Sequence, residues 1–190
     1  MTTPTYRPDE APAQRVRERQ WWPVALVTVL ILCVAGGARG VADALAGAAG
    51  PPVRVGAAVS VQPRPGWDLE AAGGDAVRLH RGPVLLDVFA GSPDPQGALA
   101  VAQRYVDERL RPGLAQVTVG DAAVTTLVDG VAAVRFGYVG VTHDRAPIEG
   151  MVVVANGTRA AAVFDAYAPL GELATVAEDL RAMIDGAAVS

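Results

Sequence analysis

Lysine is missing from this 190-residue chain, whose 16 basic residues are all arginine. The abundant Ala, Gly, Val and Pro that accompany them indicate the codon bias of a high-GC bacterial genome rather than a nucleic-acid-binding surface. Beyond Gly40 the chain has 11 arginines against 17 acidic residues, and this negative balance repels polyphosphate. Nucleic acid is therefore not an expected partner.

Cysteine and histidine are nearly as scarce. The single cysteine, Cys33, lies in an apolar segment, so the rest of the chain can form neither an internal disulfide nor a thiolate metal site. His80 and His143 are the only histidines, and the P-loop, the G-x-S-x-G elbow and the H-E-x-x-H motif are all absent. We therefore predict a non-catalytic binding or scaffolding module, with no catalytic, cofactor-binding or metal-binding residue assigned. The alternative is a cell-envelope enzyme whose site is assembled around His80 or His143.

An uncharged stretch of 18 residues, 21–38, is the strongest signal in the chain. As a helix it would extend about 27 Å, close to the hydrocarbon thickness of a bilayer. Four arginines precede it and only Arg39 follows closely, which predicts a cytoplasmic N-terminus. The predicted organisation is a disordered cytoplasmic tail (1–20), a transmembrane helix (21–38), a juxtamembrane linker (39–52) and an extracytoplasmic domain (53–190).

Two other interpretations of the apolar stretch compete with an uncleaved anchor. Lipidation of Cys33 is disfavoured because Leu32 precedes it, and lipoprotein processing prefers a small residue there. Cleavage would suit the A-x-A pattern at Ala44 and Ala46, but this pattern lies well beyond the apolar stretch. We therefore expect a single-pass protein in the cell membrane, and a secreted, cleaved form remains the alternative.

Apolar alternation predicts that the outer domain is largely antiparallel β-sheet. After a first strand within residues 53–61, Val77 and Leu79 begin a hairpin that continues to Gly91. Further strands follow residue 115, and Asn156 and Gly157 predict a two-residue type I′ turn between the last two. The predicted fold class is α+β, an antiparallel sheet flanked by helices.

Two helices are expected to cover this sheet. The first has an apolar stripe of period 3.6 and is closed by a Pro-Gly pair; the stripe comprises Leu99, Ala102, Val106 and Leu110. The second begins near Leu170 and presents Leu173, Val176, Leu180 and Met183 or Ile184. Each helix is predicted to pack one face on the sheet.

A few polar or aromatic side chains could carry function. Arg78, His80 and Arg81 could form a cationic patch, although the polar side of an amphipathic strand explains them more simply. Asp87 and Asp165 are anomalous in apolar strands, and we expect them to face water at sheet edges. Trp67 is expected to cap the core rather than to form a ligand platform.

Several features follow one another in a fixed order: the stretch VSVQPRPGW, a strand pair ending at Gly91, a helix around Tyr105, antiparallel strands through Tyr167 and a closing helix. In this order the chain resembles the PsbP-like fold over about residues 57–186, and particularly the LpqN-type extracytoplasmic proteins of actinobacteria. The resemblance implies a domain used for binding or assembly, with an envelope protein or a small ligand as its partner. The lipobox of the LpqN type is missing here, and residues 21–38 would replace the lipid as the contact with the bilayer.

Overall fold

The computed structural model describes residues 50–190. The predicted tail, the apolar stretch with Cys33 and most of the linker lie outside the described residues. Within residues 50–190, no helix combines the length and apolarity that a bilayer-spanning helix needs. Membrane anchoring therefore stays a prediction.

Eleven strands in the described part of the chain form two antiparallel sheets. Three short strands pair in the order β1-β2-β11; they are β1 (Val53–Val55), β2 (Val59–Val61) and β11 (Ala188–Val189). The other eight form a larger sheet in the order β3-β4-β5-β10-β9-β8-β6, with β7 also paired to β8. They are β3 (Asp68–Gly73), β4 (Ala76–Arg81), β5 (Val84–Gly91), β6 (Gln116–Val119), β7 (Ala123–Thr126), β8 (Ala132–Val141), β9 (Pro147–Asn156) and β10 (Ala161–Pro169).

Two helical segments pack on opposite faces of the larger sheet. Helix α1 (Ala98–Tyr105) continues through a π-helical turn (Val106–Leu110) and a last turn (Arg111–Gly113). Helix α2 (Ala177–Asp185) follows a 3₁₀ turn (Leu173–Val176). One apolar core lies between the sheet and α1, and the other lies between the sheet, α2 and the three-stranded sheet. The predicted α+β sandwich is confirmed.

The core on the α2 face is built as the alternation predicts. Leu79, Leu86 and Phe164 are fully buried and belong to the same apolar cluster as Leu180 of α2. Trp67 joins this cluster with 6% of its surface exposed. The tryptophan therefore caps the core, as expected.

The apolar stripe predicted for the first helix is wrong at its first position. Leu99 is 57% exposed, whereas Ala98 and Ala102, four residues apart, are buried against the sheet. Small side chains at these positions let the helix lie close to the strands, and Leu99 is turned outward. The π-helical turn then brings Leu110 back to the same core.

The hairpin between β9 and β10 forms, but its predicted type I′ turn does not. Asn156 pairs with Ala161, so four residues connect the strands, and neither Asn156 nor Gly157 has the positive φ that a type I′ turn requires. The Asn156 amide instead makes two 2.9 Å hydrogen bonds to the backbone of Asp94, accepting from its N–H and donating to its carbonyl. A tertiary contact thus explains the asparagine.

Candidate ligand-binding site

Asp87 and Asp165 lie next to each other in the middle of the large sheet. They occupy the neighbouring strands β5 and β10 and are directly opposite in register. Both are buried, with 9% and 5% of their surfaces exposed, on the face that α1 covers. The expectation that they face water at sheet edges is therefore wrong, because β5 and β10 are central strands.

Arg78 on β4 neutralises the first of these carboxylates. Its Nε donates to Oδ1 of Asp87 at 2.6 Å and its Nη2 donates to Oδ2 at 2.8 Å, a bidentate geometry that strengthens the ion pair. The hydrogen bonds and charge of Asp87 raise the pKa of the Arg78 guanidinium, which stays protonated. The Tyr167 hydroxyl lies 3.4 Å from Oδ2 of the same carboxylate.

Asp165, in contrast, has tyrosine partners only. The Tyr105 hydroxyl donates to its Oδ2 at 2.6 Å, and the Tyr138 hydroxyl donates to its Oδ1 at 3.0 Å. Within residues 50–190, no arginine or histidine nitrogen lies within 4.0 Å of this carboxylate. Burial raises the pKa of Asp165 to about 6, the negative charge of Asp87 adds to the rise, and the two hydroxyl donors oppose it.

The three tyrosine hydroxyls around the aspartates stay protonated. Burial, followed by the charge of Asp165, raises the pKa of Tyr105 and of Tyr138. Burial and the charge of Asp87 raise the pKa of Tyr167 to about 12. These groups therefore act as hydrogen-bond donors to the aspartates.

Gly150 on β9 makes room for one of these rings. A Cβ atom at this position would overlap the Tyr138 ring, which lies across it from the neighbouring strand. The glycine thus allows the ring to lie flat over β9 and to reach Asp165 on β10. A side chain there would remove that path.

A cavity of about 300 Å³ opens between these side chains and the helical segment. We call it the tyrosine–aspartate cleft; its polar wall is formed by Asp87, Tyr105, Tyr138, Asp165 and Tyr167, and its apolar wall includes Phe89, Leu110, Leu114 and Ile148. Arg109, from the π-helical turn, also lines the cleft. Its guanidinium carbon lies 4.9 Å from the centre of the Phe89 ring, a cation–π contact.

The two histidines are not brought together in this cleft. His143 lies exposed in the β8–β9 connection, where its Nε2 is 3.4 Å from the Pro112 carbonyl oxygen. His80 is partly buried on β4, opposite Asp68 of β3. In the part of the chain that the structure describes, neither histidine forms a hydrogen bond or ion pair with a carboxylate, and neither lines the cleft.

The structure does not join Arg78, His80 and Arg81 into one cationic patch, which was the less favoured interpretation of these residues. Arg78 pairs with Asp87 on the α1 face, while Arg81 pairs with Asp179 of α2 on the other side of the sheet. Because alternate residues of a strand point to opposite faces, the two arginines cannot join. Both charges are already matched by carboxylates.

Comparison with known proteins defines the fold. No protein-family profile and no curated protein matches the chain. The solution structure of cyanobacterial PsbP from Synechocystis matches with a TM-score of 0.51 and 15% identity, covering 70% of this chain and 87% of that one. A Bacteroides thetaiotaomicron crystal structure matches with a TM-score of 0.51 and 11% identity, covering 73% of this chain and 47% of that one, so the match spans about half of the Bacteroides protein. A Pseudomonas aeruginosa protein of unknown function matches at a TM-score of 0.46 and 13% identity, covering 74% of this chain and 96% of that one. The match to cyanobacterial PsbP shows that the described domain has a PsbP-like fold.

Proposed function

We propose that this protein is a non-catalytic binding module whose ligand, a small molecule or a segment of an envelope protein, occupies the tyrosine–aspartate cleft. The observation that carries the proposal is the cleft itself, where two buried carboxylates, the buried Tyr138 and the partly buried Tyr105 and Tyr167 line a cavity of about 300 Å³. Pockets of this size, apolar with a few convergent polar groups, are typical of ligand sites.

The polar groups of the cleft favour binding over catalysis. Asp87 is held by Arg78, and the Tyr105 and Tyr138 hydroxyls are held by Asp165. A network in which the side chains fix one another is preorganised for recognition. The alternative enzyme would need His80 or His143 to act together with a carboxylate, and neither contributes to this network.

We further propose that the module is of the LpqN type and works outside the cell membrane. The support is the order of sequence features, together with the arginine bias around the apolar stretch 21–38. On this proposal the stretch is the protein's contact with the bilayer, in place of the lipid of the LpqN type.

Ligand occupancy can be tested on the full-length protein purified in mild detergent. Small molecules that copurify with the protein are extracted and compared by mass spectrometry with those from Ile148→Trp, which fills the cleft. Leu170→Trp, at a site 61% exposed and away from the cleft, is the matched control. We expect enriched compounds to be lost from Ile148→Trp and retained by Leu170→Trp. Identical profiles for all three proteins would refute the cleft as a ligand site.

Topology can be tested separately because Cys33 is the only cysteine. In a Cys33→Ser background, Val128→Cys and Thr3→Cys are treated with a membrane-impermeant maleimide on intact cells. Val128 is 82% exposed and should be labelled, whereas Thr3→Cys should be labelled only after the cells are permeabilised. The reverse pattern would contradict the proposed orientation.

A further inference from the structure

We infer that the tyrosine–aspartate cleft selects organic cations, with the Asp165 carboxylate binding an ammonium group of the ligand. The inference rests on the proposed function of the cleft as the ligand site. It goes further by assigning the chemical class of the ligand and the residue that recognises it.

The charge balance of the two aspartates is the first argument. Asp87 has a bidentate arginine partner, whereas Asp165, only 5% exposed, has no cationic partner among the described residues. A buried charge is costly unless it is paired. A ligand that brings a positive charge to Asp165 would supply the missing partner and would gain more from the contact than a neutral ligand.

The hydrogen-bonding capacity around Asp165 is the second argument. Tyr105 and Tyr138 donate their hydroxyl protons to the carboxylate, so their oxygen lone pairs stay free to accept. Each carboxylate oxygen can also accept more than the one bond it receives. A primary ammonium group has three donors, and this arrangement offers it several acceptors at one point.

The walls and size of the cleft are the third argument. Aromatic rings attract cations through their faces, and Tyr105, Tyr138 and Tyr167 line the cavity. An engineered cavity of about 150 Å³ holds benzene, so about 300 Å³ can hold a phenyl-sized body with an ammonium arm. Arg109, in contact with Phe89, also lines the cleft, and its charge repels an ammonium group; the ligand's ammonium is therefore expected at the Asp165 carboxylate and not beside Phe89.

An organic cation fits this site better than a divalent metal ion. Within residues 50–190, no group of three or more histidine, cysteine or acidic residues could hold a metal. Both oxygens of Asp87 accept hydrogen bonds from Arg78, which leaves one carboxylate for a ligand. Divalent cations in proteins require more oxygen ligands than this.

Protonation of Asp165 should compete with the cation. The charged or titratable groups that face it are Asp87 of β5 with its partner Arg78 of β4, Tyr105 of α1, Arg109 of the π-helical turn, Tyr138 of β8 and Tyr167 of β10. Burial raises the pKa of Asp165 itself to about 6. Affinity for a cation should therefore be constant above about pH 7 and fall about tenfold for each pH unit below 6.

Phenethylamine and its neutral counterpart 2-phenylethanol are suitable probes. Binding of each to the full-length protein in nanodiscs is measured by isothermal titration calorimetry, with Ile148→Trp nanodiscs as the blank for partitioning into lipid. We expect phenethylamine to bind the wild type at least about tenfold more tightly than 2-phenylethanol. Asp165→Asn should abolish this preference, and the wild type should lose it below pH 6.

Three results would overturn the inference: equal affinity for the two probes, no binding of phenethylamine at millimolar concentration, or an unchanged preference in Asp165→Asn. The pH profile of the wild type gives an independent reading if that variant does not fold. Failure here is distinguishable from failure of the proposed function. If Ile148→Trp still loses copurified compounds, the cleft is a ligand site with a different chemical preference.

Discussion

Replacing Asp165 by asparagine should make the protein more stable at neutral pH. The side chain is 5% exposed in the middle of the sheet, and its negative charge has no cationic partner among the described residues. Asparagine has nearly the same shape and carries no charge. Its amide can still accept a hydrogen bond from one tyrosine hydroxyl, and the other hydroxyl can rotate to accept one from the amide nitrogen.

The magnitude follows from the pKa of Asp165, which is raised from 3.8 to about 6 in the folded protein. A raised carboxyl pKa means that the folded state binds the proton more tightly than the unfolded state does. Protonation of Asp165 therefore stabilises the folded state. This stabilisation is complete below about pH 4 and is lost as the pH rises through 6. Two pKa units correspond to about 3 kcal/mol. Between pH 4 and pH 8, the free energy of unfolding of Asp165→Asn minus that of the wild type should rise by this amount.

The assay is urea denaturation, followed by circular dichroism, of the wild type and Asp165→Asn at intervals from pH 4 to pH 8. Subtracting the unfolding free energy of one protein from that of the other at each pH cancels the titration of all groups that they share. Val163→Ala, a buried change on the same strand without a titratable group, is the control, and its effect should not vary with pH. A flat difference between Asp165→Asn and the wild type would refute the assignment of Asp165 as an uncompensated buried charge.

Two further substitutions test how the cleft and its surroundings are built. Gly150→Ala should destabilise the fold by about 1–3 kcal/mol, since the added methyl group overlaps the ring of Tyr138 on the neighbouring strand. The control is Gly137→Ala, whose added methyl group meets only ordinary van der Waals contact. Equal urea midpoints for the two variants would contradict this prediction. Asn156→Ala removes both hydrogen bonds to the Asp94 backbone and should lower the unfolding free energy by about 1–3 kcal/mol, while exposed Thr158→Ala should leave it within about 0.5 kcal/mol. Similar unfolding free energies for Asn156→Ala and Thr158→Ala would show that the hydrogen bonds from the Asn156 amide to Asp94 are dispensable.

Local patterns predict the elements of this fold because burial follows strand and helix periodicity. Val77 and Leu79 face the core as their alternation requires, and the first helical segment ends at the predicted Pro-Gly pair. The order of the strands in the sheet, in contrast, does not follow from local patterns. β5 and β10 are neighbours although about 70 residues separate them along the chain, and no local signal specifies that pairing.

The same long-range pairing conceals the cleft from sequence analysis. Asp87 and Asp165 are each visible as a polar residue in an apolar strand, and this anomaly was the available signal. Tyr105, Tyr138 and Tyr167 give no such signal, because each also fits an apolar stripe or strand face. Only the tertiary fold brings a helix and two separate strands around one carboxylate.

Asn156 and Gly157 illustrate how a strong local signal can have a tertiary cause. The amide is used to hold Asp94, at the start of the segment that leads into α1. At Gly157, a Cβ atom would lie 3.1 Å from the carbonyl oxygens of Ala160 and Val189, closer than ordinary contact. Both residues are therefore explained by close approach to other parts of the chain rather than by the conformation of a two-residue turn.

The two aspartates at the centre of the sheet provide an internal comparison. The fold neutralises Asp87 with a bidentate arginine. One strand away it leaves Asp165 with hydroxyl donors alone, and we expect this charge to lower stability at neutral pH. An arrangement that weakens the empty protein can still be favourable if a ligand removes the penalty on binding. The pH-dependent difference between the wild type and Asp165→Asn should then shrink when phenethylamine is present. The stability measurement and the binding measurement thus test the same charge from opposite directions.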